Sequence, residues 1–511
     1  WHRALATLAR MRDDAVAPDM ISYSAAISAC EKGGEWEWAL RTFADMQQQQ
    51  LQPQTISINA AISACEKKGH VRRGLELLWQ SQDRGVSHTV SSMIWAFATL
   101  SVNDRESINA ACVEAVFRLR ASKHPPRELS TLAWASAVLG RSDSELFGAL
   151  AEQASLQIAQ FKLEELLLLA WGVATSSSEW ELLDKIQDEL VVRLNRFDVR
   201  GYPASAWRKF AKAVLGVVWA FNFVGRLFQD FLGLARRTLV SAGRGLDRAH
   251  GVDPLGAAVV ESPEASAEAL GSSRKPCVVL DLPDRLVIAK PSGWEVWDQH
   301  VEQQLLSFWR ATSSQTWPIL DDAEHNHGFL HRLDVPTSGL ILAAKTHTAY
   351  YDMQVQLSAG EISRDYIVLC HGWVPLHLLD IRAHVHWREN LPTSAGRQGK
   401  PSRTQLKVLA HAALRGVALS LVAIRIATGR RHQIRSHFSY IGHPMVREGR
   451  YAALATFHSD RILCTQNFLH RYRLAFRDGV GLSHEAIEPV PADLICALQR
   501  ITAIDHQSAQ A

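Results

Sequence analysis

The sequence predicts a multidomain chain. An α-solenoid of stacked helical repeats fills the N-terminal half, and a domain mixing strands with helices fills the C-terminal half. Three observations predict this. The octapeptide Ala-Ala-Ile-Ser-Ala-Cys-Glu-Lys occurs at 25–32 and again at 60–67, a period of 35 residues that one helix pair per unit fills. From Ala242 to Lys275 the apolar periodicity dissolves into Gly, Ala, Ser, Pro and Glu, the composition of a flexible linker. Beyond it, apolar runs of strand length alternate with Pro/Gly turns. The expected boundaries are repeats over 1–87, a second repeat type over 88–241, a linker over 242–275, a folded domain over 276–500 and a tail over 501–511.

Composition sets limits. The 511 residues are 47% apolar and 21% charged, ordinary for globular domains. No apolar run reaches the roughly 18 residues of a spanning helix, so no membrane segment is expected. The first residue is Trp1, so the reading expects the true N-terminus, with any targeting peptide, to be missing. Seven cysteines are scattered without a Cys-x-x-Cys pair, which argues against a zinc site and for a reducing compartment. Between Arg382 and Arg477 stand 17 Lys/Arg and three acids, Glu389, Glu448 and Asp460. That excess is either a solvated face or the footprint of a polyanion.

In the first repeats Pro18 recurs as Pro53 and Tyr23 aligns with Ile58. Ile21–Ala29 and Trp38–Met46 read as two amphipathic helices parted by Gly33-Gly34. The pattern Pro-Asp-x-Ile-Ser-Tyr-Ser-x-x-Ile-Ser-Ala-Cys resembles pentatricopeptide repeats. The resemblance implies single-stranded RNA read about one base per unit, with Ser24 and Asn59 facing bases and Gln54 and Thr89 as second code positions. A protein-binding helical repeat is the alternative. From about residue 88, Ile94-Trp95-Ala96-Phe97 is echoed by Leu132-Ala133-Trp134-Ala135 and Leu169-Ala170-Trp171-Gly172, with a weaker copy at Val218-Trp219-Ala220-Phe221. These segments resemble octotricopeptide-type repeats. Small residues beside each Trp favour a buried structural role over base stacking.

In the C-terminal half, Val278–Leu280 and Leu286–Ala289 are strand-like, and Lys290-Pro291-Ser292-Gly293 makes a turn that can present its lysine. The stretch from His331 to Lys345 follows. Asp334 precedes Pro336-Thr337-Ser338-Gly339, and Leu340–Ala344 continues as a buried strand. The plain reading is an Asp accepting N–H bonds from Thr337 or Ser338 in a turn. At the rim of a core, its charge needs a cation. Thr346–Leu357 reads as a helix and Ile362–Leu369 as a strand carrying Arg364 and Tyr366. Leu419–Ile426 is a strand, and after Gly429 a helix is expected over His432–Ile441, closed by Gly442, with His432 and Arg435 on one face. His432, His437 and His443 have no acid or cysteine at ligand spacing, so no metal is expected there.

Together these segments resemble the RluA-type pseudouridine synthases. Their signature His-Arg-Leu-Asp-x-x-Thr-Ser-Gly is met at 331–339 and Thr-Gly-Arg-x-His-Gln-Ile-Arg at 428–435. A basic residue, a spacer and a Tyr are met by Arg364 and Tyr366, and the closing strand by Leu469-His470 with Leu474–Phe476. The resemblance covers about 278–480. It implies an α+β fold with a mainly antiparallel mixed sheet and a central cleft, and a cofactor-free isomerase acting on structured RNA (rRNA or tRNA) as a monomer. It also implies roles. Asp334 is catalytic, Arg435 its partner, and Tyr366 packs the base and helps remove its C5 proton. Arg332 fills the vacated stack and His331 supports it. Thr337, Ser338, Arg430, Arg431, His432 and Gln433 contact RNA. The repeats imply an organelle, mitochondrion or plastid. Three departures stand out: Ala289 where the family has Asn, and Arg447-Glu448 where it has Gly-Asp. If that glycine needed positive φ, Arg447 is strained or the loop is rebuilt. Two rivals are an RNA-binding factor with a decayed synthase domain and a nucleoside glycosidase releasing free uracil.

Overall fold

The computed structural model describes residues 1–14, 16–67, 70, 73, 76–77, 90–140 except 101–104, 144–176, 179–196, 204–252, 275–297, 301–313, 316–387, 393–396 and 399–504. The chain forms two compact units, one built on Trp1–Glu189 and the other on residues from Leu190 onward.

The first unit is helical. Asp19 caps the helix Met20–Gly33 by accepting the Ser22 N–H at 2.8 Å, and Gly34 ends it in a left-handed conformation at φ 73°. The partner helix is Trp36–Gln48, so the double glycine is the expected break. Tyr23, Ala26, Ile27 and Cys30 are buried, and their counterparts Ile58, Ala61, Ile62 and Cys65 in the helix Thr55–Lys67 are buried too. The 35-residue period is therefore a repeat of core positions. Ser24 and Asn59 are half-buried on these helices and Gln54 is exposed; Thr89 lies outside the described residues. The Trp-bearing segments form the helices Val90–Leu100, Pro126–Val138 and Leu163–Ser176. Their tryptophans are half-buried rather than fully buried; the fully buried positions are the small and aliphatic neighbours, such as Ala96, Ala133 and Ala170.

The fourth Trp copy differs. Trp219 sits in the helix Ala204–Phe223, which belongs to the second unit. The next helix, Gln229–Ala249, runs eight residues into the stretch expected as linker, and 253–274 lies outside the described residues. Glycine misled the reading at this point. A Cβ at Gly243 would meet the His347 and Thr348 backbone at 2.7 Å, so the residue serves close packing of this helix on the helix His347–Ser358.

The rest of the second unit is built on one sheet. Its strands are β1 (Cys277–Asp281), β2 (Arg285–Lys290), β3 (Ser338–Ala344), β4 (Ser363–His371), β5 (Asp380–His386), β6 (Ser394–Gly396), β7 (Lys400–Leu414), β8 (Val417–Ile426), β9 (Leu469–Arg477), β10 (Ser483–Ile487) and β11 (Thr502–Ala503). The order is β1-β2-β3-β9-β4-β8-β7-β5-β6, with β10 beside β9 and β11 beside β7. The β3–β9 pairing is parallel and the others are antiparallel. Every residue of β3 is buried, so the Leu340–Ala344 run is a central strand and holds the end of the preceding motif in place. Gly339, at φ 118°, lies directly against the Arg471 backbone of β9. The motif glycine thus permits the parallel crossing that brings β9 to the site.

Candidate active site

Asp334 sits in the loop entering β3. Its backbone carbonyl accepts the Thr337 N–H at 3.0 Å, so the turn is closed by main chain and the carboxylate is left for other work. Asp334 Oδ2 accepts from Arg435 Nη1 at 2.8 Å, a pair 101 residues apart in sequence. Oδ1 lies 3.6 Å from His432 Nε2, beyond hydrogen-bond length. Burial opposes the charge on Asp334, but the fields of His432, Arg435 and Arg332 and the bond from Arg435 outweigh it and lower the pKa below the usual carboxylate value. His432 itself is pushed down to about 4, chiefly by burial. At neutral pH it is uncharged, and Arg435 is the cation that keeps Asp334 ionised.

Arg435 is fixed from behind. Its Nε and Nη2 donate to the two oxygens of Glu448, both at 2.7 Å. Glu448 is fully buried, and it also accepts from the Arg450 N–H at 2.9 Å and Asn467 Nδ2 at 3.4 Å. The Asp-to-Glu departure therefore leaves a bidentate carboxylate in place. Arg447 adopts φ 64°, so of the two outcomes the strained, left-handed conformation is the one found. Its N–H donates to Asp460 at 2.7 Å and its guanidinium lies 4.1 Å from the Phe457 ring centroid, which helps hold the strained turn.

The helix bearing Arg435 spans Gln433–Tyr440, one residue shorter at each end than expected, with His432 outside it as a left-handed cap at φ 51°. Gly442 N–H to Ser439 O and His443 N–H to Phe438 O close its end. His432 Nδ1 meets the Tyr451 hydroxyl at 2.7 Å, which turns Nε2 toward Asp334. His437 pairs with Ser402 and His443 with the His371 carbonyl, so the three histidines serve separate partners.

Tyr366 is buried on β4, where a bulge against β9 falls between Asp365 and Ile367; such bulges re-aim side chains. Its hydroxyl accepts from Arg471 Nη2, whose guanidinium lies 4.8 Å from the ring centroid. Arg471 also donates to His331 and to Leu340 O at 2.9 Å. Burial, then the charges of Arg471 and Arg364, hold His331 well below its usual pKa, so it is a neutral acceptor. The pattern reading missed Arg471. Its basic side chain stands in a run, His470-Arg471-Tyr472-Arg473, that carries no turn or capping signal.

The other expected contacts divide. Arg332 and Arg431 are exposed. Arg430 is half-buried and stacks 4.5 Å over Trp219, burial lowering it to about 10. Gln433, expected to touch RNA, faces inward. Its amide oxygen accepts from Thr428 and the Arg430 N–H, and its nitrogen donates to Arg403 O and Thr404. Thr337 is buried, and Ser338 is spent on His470 at 3.0 Å. Both support the loop. Lys290, expected in a turn, is also buried, with Nζ donating to Trp294 O at 2.8 Å, Pro291 O and Val335 O. Burial pushes it down to about 7, opposed by Asp334; three carbonyl acceptors favour the ammonium form. Part of the basic excess is neutralised by acids outside its window: Arg425 and Arg473 pair with Asp365, Arg473 with Glu485, and Arg382 and Arg403 with Asp380.

Residues 284–440 match the family model of RNA pseudouridylate synthases, and residues 8–68 match that of the pentatricopeptide repeat domain. Ribosomal large subunit pseudouridine synthase D of Nitrosomonas europaea is 31% identical over 188 residues, covering 35% of this chain and 53% of that protein. Ribosomal large subunit pseudouridine synthase C of Escherichia coli is 36% identical over 128 residues, covering 24% of this chain and 38% of that protein. The solved structure of human RNA pseudouridylate synthase domain containing 1 aligns with a TM-score of 0.36 and 24% identity, over 46% of this chain and 90% of that chain. The chain thus spans about half or less of the length of these curated relatives. Among the described residues no helix is long and apolar enough to cross a membrane.

Proposed function

We propose that the second unit isomerises uridine to pseudouridine in RNA, with Asp334 as the catalytic residue. The observation that carries this is the Asp334–Arg435 ion pair at 2.8 Å, joined across 101 residues by the two most specific motifs. The reaction breaks the C1′–N1 bond, turns the uracil and forms C1′–C5; the C5 proton leaves and N1 gains one. An ionised carboxylate serves it either by attacking C1′ or by removing the C2′ proton, and Oδ1 is the oxygen left for that role. Tyr366 supplies an aromatic face for the base. Its hydroxyl, held by Arg471, relays the C5 proton in this proposal. Arg332, exposed beside Asp334, fills the stack that the base leaves, at a cost of a few kcal/mol for unstacking. No cofactor is needed for these steps.

The named relatives act on the large ribosomal subunit, which supports rRNA as the substrate class, with tRNA the second choice. The pentatricopeptide match supports a second, tethered RNA contact through Ser24 and Asn59 and an organellar RNA as the target. The test is tritium release from RNA labelled at uridine C5. The wild-type chain should release tritium and leave pseudouridine in the strand. Asp334→Asn releasing at the wild-type rate, or no release by either from rRNA and tRNA, would overturn the reading. Free uracil as the product would favour a glycosidase instead.

A further inference from the structure

A second constellation of titratable side chains shares no member with the Asp334 site. His347 begins the helix His347–Ser358. Its Nδ1 lies 3.0 Å from Asp247 Oδ1, and Asp247 also accepts the backbone N–H groups of His347 and Thr348 and the Thr348 hydroxyl. The other ring nitrogen, Nε2, points at Asp322 Oδ2, 3.1 Å away. His325 Nδ1 meets that same oxygen at 2.6 Å, while its Nε2 lies 2.9 Å from the Tyr351 hydroxyl. Asp322 Oδ1 accepts the backbone N–H groups of Glu324 and His325. Relative exposures are 0% for Asp247, 1% for His347 and 8% for His325. The Asp322 side chain, at 24%, is the open side.

We propose that Asp322, His325 and His347 bind a divalent transition-metal ion of the zinc class, with water in the fourth position. Their three ligand atoms all lie within 4.8 Å of one another. Two imidazole nitrogens and one carboxylate oxygen are a recurrent tetrahedral zinc set with one open place. The far side of every ligand is already held: His347 by Asp247, His325 by Tyr351 and Asp322 by main chain. Such outer-sphere bonds fix ring orientation and tautomer in metal sites.

Around the cluster, His250 stacks on His347 at 5.4 Å and Arg208 pairs with Glu324 at 2.8 Å. The ion would clamp the catalytic loop at its base, since His325 precedes Asp334 by nine residues and His347 follows it by thirteen. The loop ends are tied between them by Leu330 N–H to Leu342 O at 3.1 Å. It would also fasten the helix Gln229–Ala249 through Asp247.

The test uses the full chain, stripped with chelator and titrated with Zn²⁺ and with Co²⁺. The expected result is one Zn²⁺ bound per chain and the visible absorption of four-coordinate cobalt. His325→Ala and His347→Ala should lose this binding, Asp247→Asn should weaken it about 10–100-fold, and His443→Ala should leave it unchanged. His325→Cys keeps a ligand, and it should add a thiolate-to-cobalt charge-transfer band that reports ligation even if the alanine variants fold poorly. Absence of stoichiometric Zn²⁺ binding by the wild-type chain, or a His325→Cys cobalt spectrum without the thiolate band, would overturn the proposal. No readout depends on uridine isomerisation, so this site and the proposed activity stand or fall separately.

Discussion

Glu448 offers the sharpest test of how Arg435 is positioned, because it is a buried side chain one step removed from the proposed reacting oxygen. Four donors converge on its carboxylate: Arg435 Nε and Nη2, the Arg450 N–H and Asn467 Nδ2. Glu448→Gln keeps the shape but replaces one acceptor oxygen with an NH₂ that faces two of those donors. Losing one partner of a buried pair costs about 3–5 kcal/mol, and this change also unlocks the guanidinium that meets Asp334 at 2.8 Å. A shift of about 1 Å in a positioned group costs about 10²-fold in rate. The second unit should therefore unfold at distinctly lower urea, and tritium release should fall by about 10²-fold or more. Glu448→Asp keeps the charge and restores the residue found in the resembling family, and it should stay within about 10-fold of wild type. The assays are urea unfolding followed by Trp fluorescence, and single-turnover tritium release. Wild-type rate and stability in Glu448→Gln would refute the claim that Arg435 is held from behind.

Three further predictions follow from the same geometry. Asp334→Asn should lower tritium release by at least about 10²–10⁴-fold, and in the wild type the acid limb of the pH–rate profile should lie below the ordinary Asp value of about 3.9, since the folded pKa is depressed. By the same sign, the stability that Asp334 contributes is present above that value and lost as pH falls through the folded one; a rate limb near pH 6 would contradict it. Tyr366→Phe keeps the ring but strands a buried Arg471 N–H, so it should cost about 1–3 kcal/mol in urea unfolding and slow tritium release from the bound complex by about 10²-fold with little change in RNA affinity. Arg447→Gly relieves a left-handed conformation worth about 1–2 kcal/mol but removes a cation–π contact worth about 0.5–2 kcal/mol, so stability should change by under about 1 kcal/mol, while Arg447→Val, β-branched at φ 64°, should destabilise clearly.

Local pattern made the strands that bear motifs legible. β1, β2, β3, β4, β8 and β9 each contain a run with continuous apolar residues, and the helix after β3 begins at a Thr346 cap that accepts the Ala349 N–H at 3.1 Å. β5, β6 and β7 escaped because their burial alternates or breaks, as in β7 with its exposed Lys400, Gln405 and Lys407. Gly243 and its neighbours looked like linker, yet the residue lets one helix lie on the His347–Thr348 backbone. The Asp334–Arg435 pair could be anticipated because each member carries its own motif. Glu448 and Arg471 could not, since a buried charged residue in a sequence looks like an exposed one until its partner is known.

For the proposed reaction, an arginine between two acids suits Asp334 better than a single ion pair. A lone Asp334–Arg435 pair could close bidentately, occupying both carboxylate oxygens and leaving none for the ribose. Glu448 takes two of the guanidinium's donors, Nε and Nη2, and only Nη1 reaches Asp334 Oδ2. Oδ1 is then left beside a neutral His432 at 3.6 Å. Exposed Arg332 and Arg431 stand at the rim, where their charges favour the phosphates of an RNA in the proposed reaction.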